Sequence, residues 1–175
     1  MSDQIGTSAL TPEARKVLSV AEQFADMARL SNLDGRQSEG PPRRIFAEGA
    51  VLAFAVELML KTLHQQAFNK KEHGHEIWKL YRKLPIPIKD ALKTEFVDGA
   101  SNFDRAIDAH YISMGVTPPG MEDLLKGGND AFALLRYAYE GKLPEQMGLG
   151  RVMGAIRRYL FKCYPDANWL SGLNG

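Results

Sequence analysis

The chain lacks paired cysteines, an excess of charge of either sign, and an apolar run long enough for a bilayer. Each absence removes a class of protein. Cys163 is its one cysteine. A lone thiol has no internal partner, so no disulfide framework holds the fold, and the composition suits a reducing compartment. Lys and Arg number 22 against 21 Asp and Glu, a formal net charge of +1. That balance supplies no global field to draw in a polyanion, so nucleic-acid binding would need a local basic patch. The most apolar stretch, Ala50 to Leu60, contains Glu57 and falls short of the roughly 20 residues that a spanning helix needs. Met1-Ser2-Asp3-Gln4-Ile5-Gly6 has no basic start followed by an apolar run, so it does not read as a secretory signal. The expectation is a cytoplasmic protein with no membrane partner. Internal repeats, low-complexity tracts, period-two alternation, a P-loop, a dinucleotide fingerprint and a Ser/His/Asp nucleophile motif are also absent.

What is present is helical patterning over 175 residues, of which 45% are hydrophobic and 25% charged. That is enough to build one core. Residues 1–10 read as a flexible lead-in. Thr11-Pro12-Glu13 is a helix start, with Thr at the cap and Pro at the first helical position. The spacing predicts a helix to about Ser31 with Val17, Ala21, Phe24, Met27 and Leu30 on its buried face. The Gly- and Pro-rich stretch Leu33 to Pro42 breaks it. A second helix is predicted from Arg43 to about Asn69. Its stripe of Leu52, Val56, Met59 and Leu63 is widened by Phe46, Ala53 and Leu60, the breadth expected of a central helix. His75 to Leu84 predicts a third helix, stopped by Pro85 and Pro87. Further helices are expected over Ile88 to Val97, from the capping box at Ser101-Asn102-Phe103-Asp104 to Ile112, and from Met121 to Tyr139 with a disturbance at Gly127-Gly128. The last runs from Pro144-Glu145 until Pro165 ends it. The expected architecture is an all-α bundle of five to seven helices in a single domain over 11–165, with a loose tail over 166–175.

Two stretches of text carry a resemblance. The first is Ala55-Val56-Glu57-Leu58-Met59-Leu60-Lys61-Thr62-Leu63 followed by Gly74-His75-Glu76-Ile77-Trp78-Lys79-Leu80-Tyr81. It resembles the Glu-Leu-x-Leu-Lys and Gly-His-Asp-Leu-x-x-Leu pattern of the HEPN (higher eukaryotes and prokaryotes nucleotide-binding) helical family, with Glu76 in place of Asp and Ile77 in place of Leu. The second, Ala131-Phe132-Ala133-Leu134-Leu135-Arg136-Tyr137-Ala138-Tyr139-Glu140, is similar to an Ala-Phe…Arg-Tyr-x-Tyr-Glu segment of a poorly characterised bacterial branch of that family. Together they bracket Ala55 to Glu140. The resemblance implies a HEPN-like bundle that binds RNA or nucleotide, works as a homodimer, takes no cofactor and serves defence or stress response. It also implies, for members that cut RNA, a metal-independent ribonuclease. In those the ribose 2′-hydroxyl attacks the adjacent phosphate, a histidine moves protons and an arginine steadies the developing charge.

The residues themselves leave alternatives open. Arg105 and His110, with four residues between them, match the catalytic Arg…His spacing of that family, although Ala106 stands where a polar residue is usual. They read equally as an exposed helix pair with Asp108 available to either. Arg136, Tyr137 and Glu140 can hold a phosphate and stack a base, or form a buried Arg–Glu pair between helices. Glu57 and Lys61 are four apart in the favourable acid-first order. His75, at a helix start, can tie its loop back to the second helix. Arg151, Arg157, Arg158 and Lys162 are basic-patch candidates on the last helix; Arg151, Arg158 and Lys162, with Tyr159 interleaved, offer a stripe on one side, with Arg158 a candidate phosphate contact, or simply a solvated face. His73 and His75 form a metal-like fragment with no second cluster to close it, so no metal site is assigned. Arg157, Arg158 and Lys162 can lower the pKa of Cys163, which otherwise reads as a helix-face cysteine without a role. The other class of function is a non-catalytic protein-interaction or assembly module, with an apolar helix face as its working surface.

Overall fold

The computed structural model of the chain describes residues 9–35, 43–129 and 148–167, and the side chains within them outside 29–48. These residues form seven α-helices and no strand: α1 (Pro12–Gly35), α2 (Arg43–Phe68), α3 (Ile77–Lys83), α4 (Ile86–Asp98), α5 (Asn102–Ser113), α6 (Met121–Gly127) and α7 (Leu149–Cys163). Among the described residues no helix is long and apolar enough to cross a membrane.

Locally encoded features form where expected. Thr11 caps α1, its Oγ1 accepting from Ala14 N–H at 3.2 Å. Ser101 and Asp104 close a reciprocal capping box on α5. The α4 start falls at Ile86, two residues before the predicted one, because Pro87 in the first turn needs no N–H partner. The helix predicted from Met121 to Tyr139 stops at Gly127, and Gly128 is its C-cap. A Cβ at Gly128 would lie 2.7 Å from Leu149 Cδ2 and 3.0 Å from Ile77 Cδ1, so a close three-way approach of α3, α6 and α7 requires glycine there. Gly148 is the N-cap of α7, so the described helix begins after the Pro144-Glu145 start, which lies outside the described residues.

The centre of the bundle is α2, which packs against α1, α3 and α7; α7 also lies on α4 and α6. From Ala53 to Gln65 every α2 side chain except Phe54, Leu58 and Lys61 is buried. The predicted face of α1 is only partly the buried one. Ala21 is buried as expected, but the buried stripe continues through Ala14, Leu18, Ala25 and Ala28, while Met27 is 53% exposed, Val17 and Phe24 are half-buried, and the Leu30 side chain lies outside the described residues. The alanines let the α1 and α2 backbones approach closely, and the larger side chains sit at the edges of the seam. There Phe24 packs edge-on against Phe54, with ring centroids 4.6 Å apart. The packed region extends beyond 11–165 at both ends: Leu10 and Ala167 are buried, and Asp166 pairs with Arg15 at 2.5 Å.

α5 stands apart. None of its residues is buried, and Phe103 and Ile112, with the C-cap residue Met114, are 73%, 65% and 54% exposed. Among the described residues it is tied to α7 by Asp108, both of whose oxygens accept from Arg151 Nη1, at 2.9 and 3.0 Å.

Candidate functional site

The two halves of the first motif meet. Glu57, eleven residues before the end of α2, is buried, and its Oε1 accepts from Lys61 Nζ at 2.7 Å. His75 Nδ1 lies 3.1 Å from the same oxygen. The helix periodicity brings Lys61 over Glu57, and the turn through Gly74 returns the chain so that His75, itself 78% exposed, closes the link. Glu57 Oε2 is buried with no hydrogen-bond partner among the described residues. A carboxylate this enclosed depends on its two partners for compensation. Lys61 also lines a cleft between α1, α2 and the connection from α2 to α3.

Arg105 and His110 are both exposed on α5. Arg105 Nε donates to the Ala100 carbonyl at 3.3 Å. Among the described residues neither side chain has a carboxylate partner. Asp108, which the sequence leaves available to both, belongs instead to Arg151. Five residues along a helix place Arg105 and His110 about 140° apart around its axis. Arg136, Tyr137 and Glu140 lie outside the described residues.

The basic stripe of α7 is not a free cationic face. Arg151 joins Asp108 and lies over the Phe96 ring, 4.1 Å from its centroid. Arg157 meets Glu22 at 2.9 Å. Arg158 donates to the Glu95 carbonyl at 2.7 Å, with Nε 3.5 Å from Glu95 Oε2, and Lys162 donates to Glu95 Oε1. These cations fasten α7 to α1, α4 and α5. Their acidic partners are distant in sequence, which is why spacing along α7 alone did not reveal them.

Of the two readings of Cys163, its environment does not favour the one in which the neighbouring cations lower its pKa. Burial pushes its thiol above the ordinary value, outweighing the hydrogen bond from Tyr159 and the charge of Lys162. Desolvation opposes the thiolate more than the neighbouring cations favour it. Among the described residues no three His, Cys, Asp or Glu side chains gather as a metal site requires.

Glu22 was missed altogether by the sequence reading. It sits on the buried side of α1, 2% exposed. Burial raises its pKa above the ordinary 4.5, opposed by the Arg157 guanidinium and reinforced by Asp26. The folded chain therefore holds this proton at a pH where the unfolded chain releases it. Stability from the protonated carboxyl is fully present below about 4.5 and falls as pH rises through the raised folded value. Glu22→Gln removes this titration. Its stability relative to the parent is expected to rise between pH 4 and pH 8, as read from urea midpoints; a flat difference would show that Glu22 titrates normally.

No family model, no curated protein and no solved structure matches the chain.

Proposed function

We propose that the chain is a HEPN-like protein that binds RNA or nucleotide and works as a homodimer, in defence or stress response, with metal-independent RNA cleavage by Arg105 and His110 as its catalytic form. The observation that carries this reading is the state of the candidate phosphate contacts. The four α7 cations are engaged by three carboxylates of the same chain, Asp108, Glu22 and Glu95, whereas Arg105 and His110 are exposed and without a carboxylate partner among the described residues. The joined Glu57, Lys61 and His75 support the resemblance, since its two halves form one unit. Arg105 and His110 point in different directions from one helix, so a shared phosphate calls for the arginine of one protomer and the histidine of another. In that arrangement His110 takes the proton of the 2′-hydroxyl as it attacks phosphorus, and Arg105 faces the charge that builds on the phosphoryl oxygens. The 5′-oxygen then leaves with the proton that His110 had taken, giving a 2′,3′-cyclic phosphate and a free 5′-hydroxyl.

The test is incubation of the purified protein with a mixed RNA pool in EDTA, beside Arg105→Ala/His110→Ala. Cleavage by the parent is expected to fall at least about 100-fold in the double variant, the scale of one lost general base. Equal cleavage by the two would remove these residues from the chemistry.

A second reading is an assembly module with no nucleic-acid ligand. It is favoured by α5, which buries none of its residues and displays Phe103 and Ile112, with Met114 exposed at its C-cap. RNA binding abolished by Arg105→Ala/His110→Ala would argue against it, and self-association lost on Phe103→Ser without any RNA affinity would favour it.

A further inference from the structure

On α1, α2 and the connection from α2 to α3, none of which includes Arg105 or His110, lies a cleft of about 330 Å³. Its lining includes Lys16 of α1, Lys61 and Gln65 of α2, and Lys71 and His73 of the connection, with Glu13 and Glu72 beside them. Two of these charges are already matched: Lys61 by Glu57 at 2.7 Å, and Glu72 by Lys83 at 2.7 Å. The Lys83 hydrogen bond holds the Glu72 carboxyl below its ordinary pKa, so it is a settled anion turned toward another lysine.

Lys16 and Lys71 differ from these. Among the described residues neither makes an ion pair or a side-chain hydrogen bond. Two unmatched ammonium groups from separate elements bordering one cleft repel each other, and an anion placed between them reverses that sign. Gln65 adds a second observation. It is 7% exposed, its Nε2 donates to Asn69 Oδ1 at 3.3 Å, and its Oε1 is buried without a hydrogen-bond partner among the described residues. An orphaned acceptor is costly. The terminal torsion of glutamine is soft enough to turn that oxygen toward a hydroxyl or N–H entering the cleft. The cavity volume sits at the small end of ligand sites, which start at about 300 Å³.

We propose that this cleft binds a small phosphate monoester of sugar-phosphate size. Lys16 and Lys71, with His73, hold the phosphate, and Gln65 and Glu13 accept from the hydroxyls of the organic part. The site is separate from α5, so its occupancy suits an effector rather than the RNA substrate.

The probe is ribose 5-phosphate, titrated calorimetrically into the parent and into Lys16→Ala/Lys71→Ala at low ionic strength. Saturable binding to the parent, displaced by inorganic phosphate, is expected, with affinity at least about tenfold lower in the double variant. Lys16→Arg/Lys71→Arg is expected to retain most of the affinity, and ribose without its phosphate to give no measurable heat. Lys16 and Lys71 are both exposed, so the thermal midpoint should stay with the parent in both variants, which separates lost binding from lost folding. No binding to the parent, or equal binding by parent and alanine variant, would overturn the proposal. Neither result bears on RNA cleavage by α5, so the two ideas fail independently.

Discussion

Glu57→Ala is expected to lower the stability of the fold by about 3 kcal/mol, the lower end of the cost of breaking a buried ion pair. The carboxylate is almost fully enclosed and Lys61 is 17% exposed, so truncation leaves an ammonium group with little water to replace its partner. The lower end applies because Lys61 borders the cleft, where some solvent reaches it. The diagnostic comparison is Glu57→Ala/Lys61→Met. If the loss comes from an uncompensated charge, removing that charge should restore most of the stability. His75→Ala should cost far less, because its ring is 78% exposed and exposed pairs contribute little. Urea unfolding of the four proteins reads the comparison directly. A double variant no better than Glu57→Ala would mean that Glu57 acts by filling space and not by pairing.

Ile156→Ala is expected to cost about 2–5 kcal/mol, while Ile112→Ala should stay within about 0.5 kcal/mol of the parent. The chemistry of the two substitutions is identical and both sites are helical. Ile156 lies on the buried face of α7 and is 0% exposed, whereas Ile112 on α5 is 65% exposed. The larger loss combines forfeited burial with a cavity that neighbouring side chains only partly refill. Equal midpoints for the two variants would show that α5 is buried in the protein as it exists in solution, against a partner or a second copy. The pair of measurements therefore tests the core and the exposure of α5 together.

What was legible in the sequence is what neighbouring residues decide. The Thr11 cap and the Ser101–Asp104 box depend on residues within one turn, and each formed as expected, whereas Gly127-Gly128 ends a helix there instead of only disturbing it. The central place of α2 followed from the breadth of its apolar surface. The face of α1 was misjudged because side-chain hydrophobicity was weighed above size, and the tight seam selected Ala14, Ala25 and Ala28 over Met27. The candidate site divides in the same way. Glu57 and Lys61 are an in-helix pair, and the turn to His75 is short. Arg157 with Glu22, and Lys162 with Glu95, pair across distant parts of the chain, and nothing local in either helix announces its partner.

The ion pairs of α7 have a bearing on synthesis. Glu22, Glu95 and Asp108 leave the ribosome well before Arg157, Arg158, Lys162 and Arg151. Until residues 149–163 emerge, the early helices carry an apolar seam that lacks its cover and acids that lack their counter-charges. Their final docking must therefore wait for α7, and a stalled chain ending before it would display to chaperones and proteases a surface that the completed chain conceals.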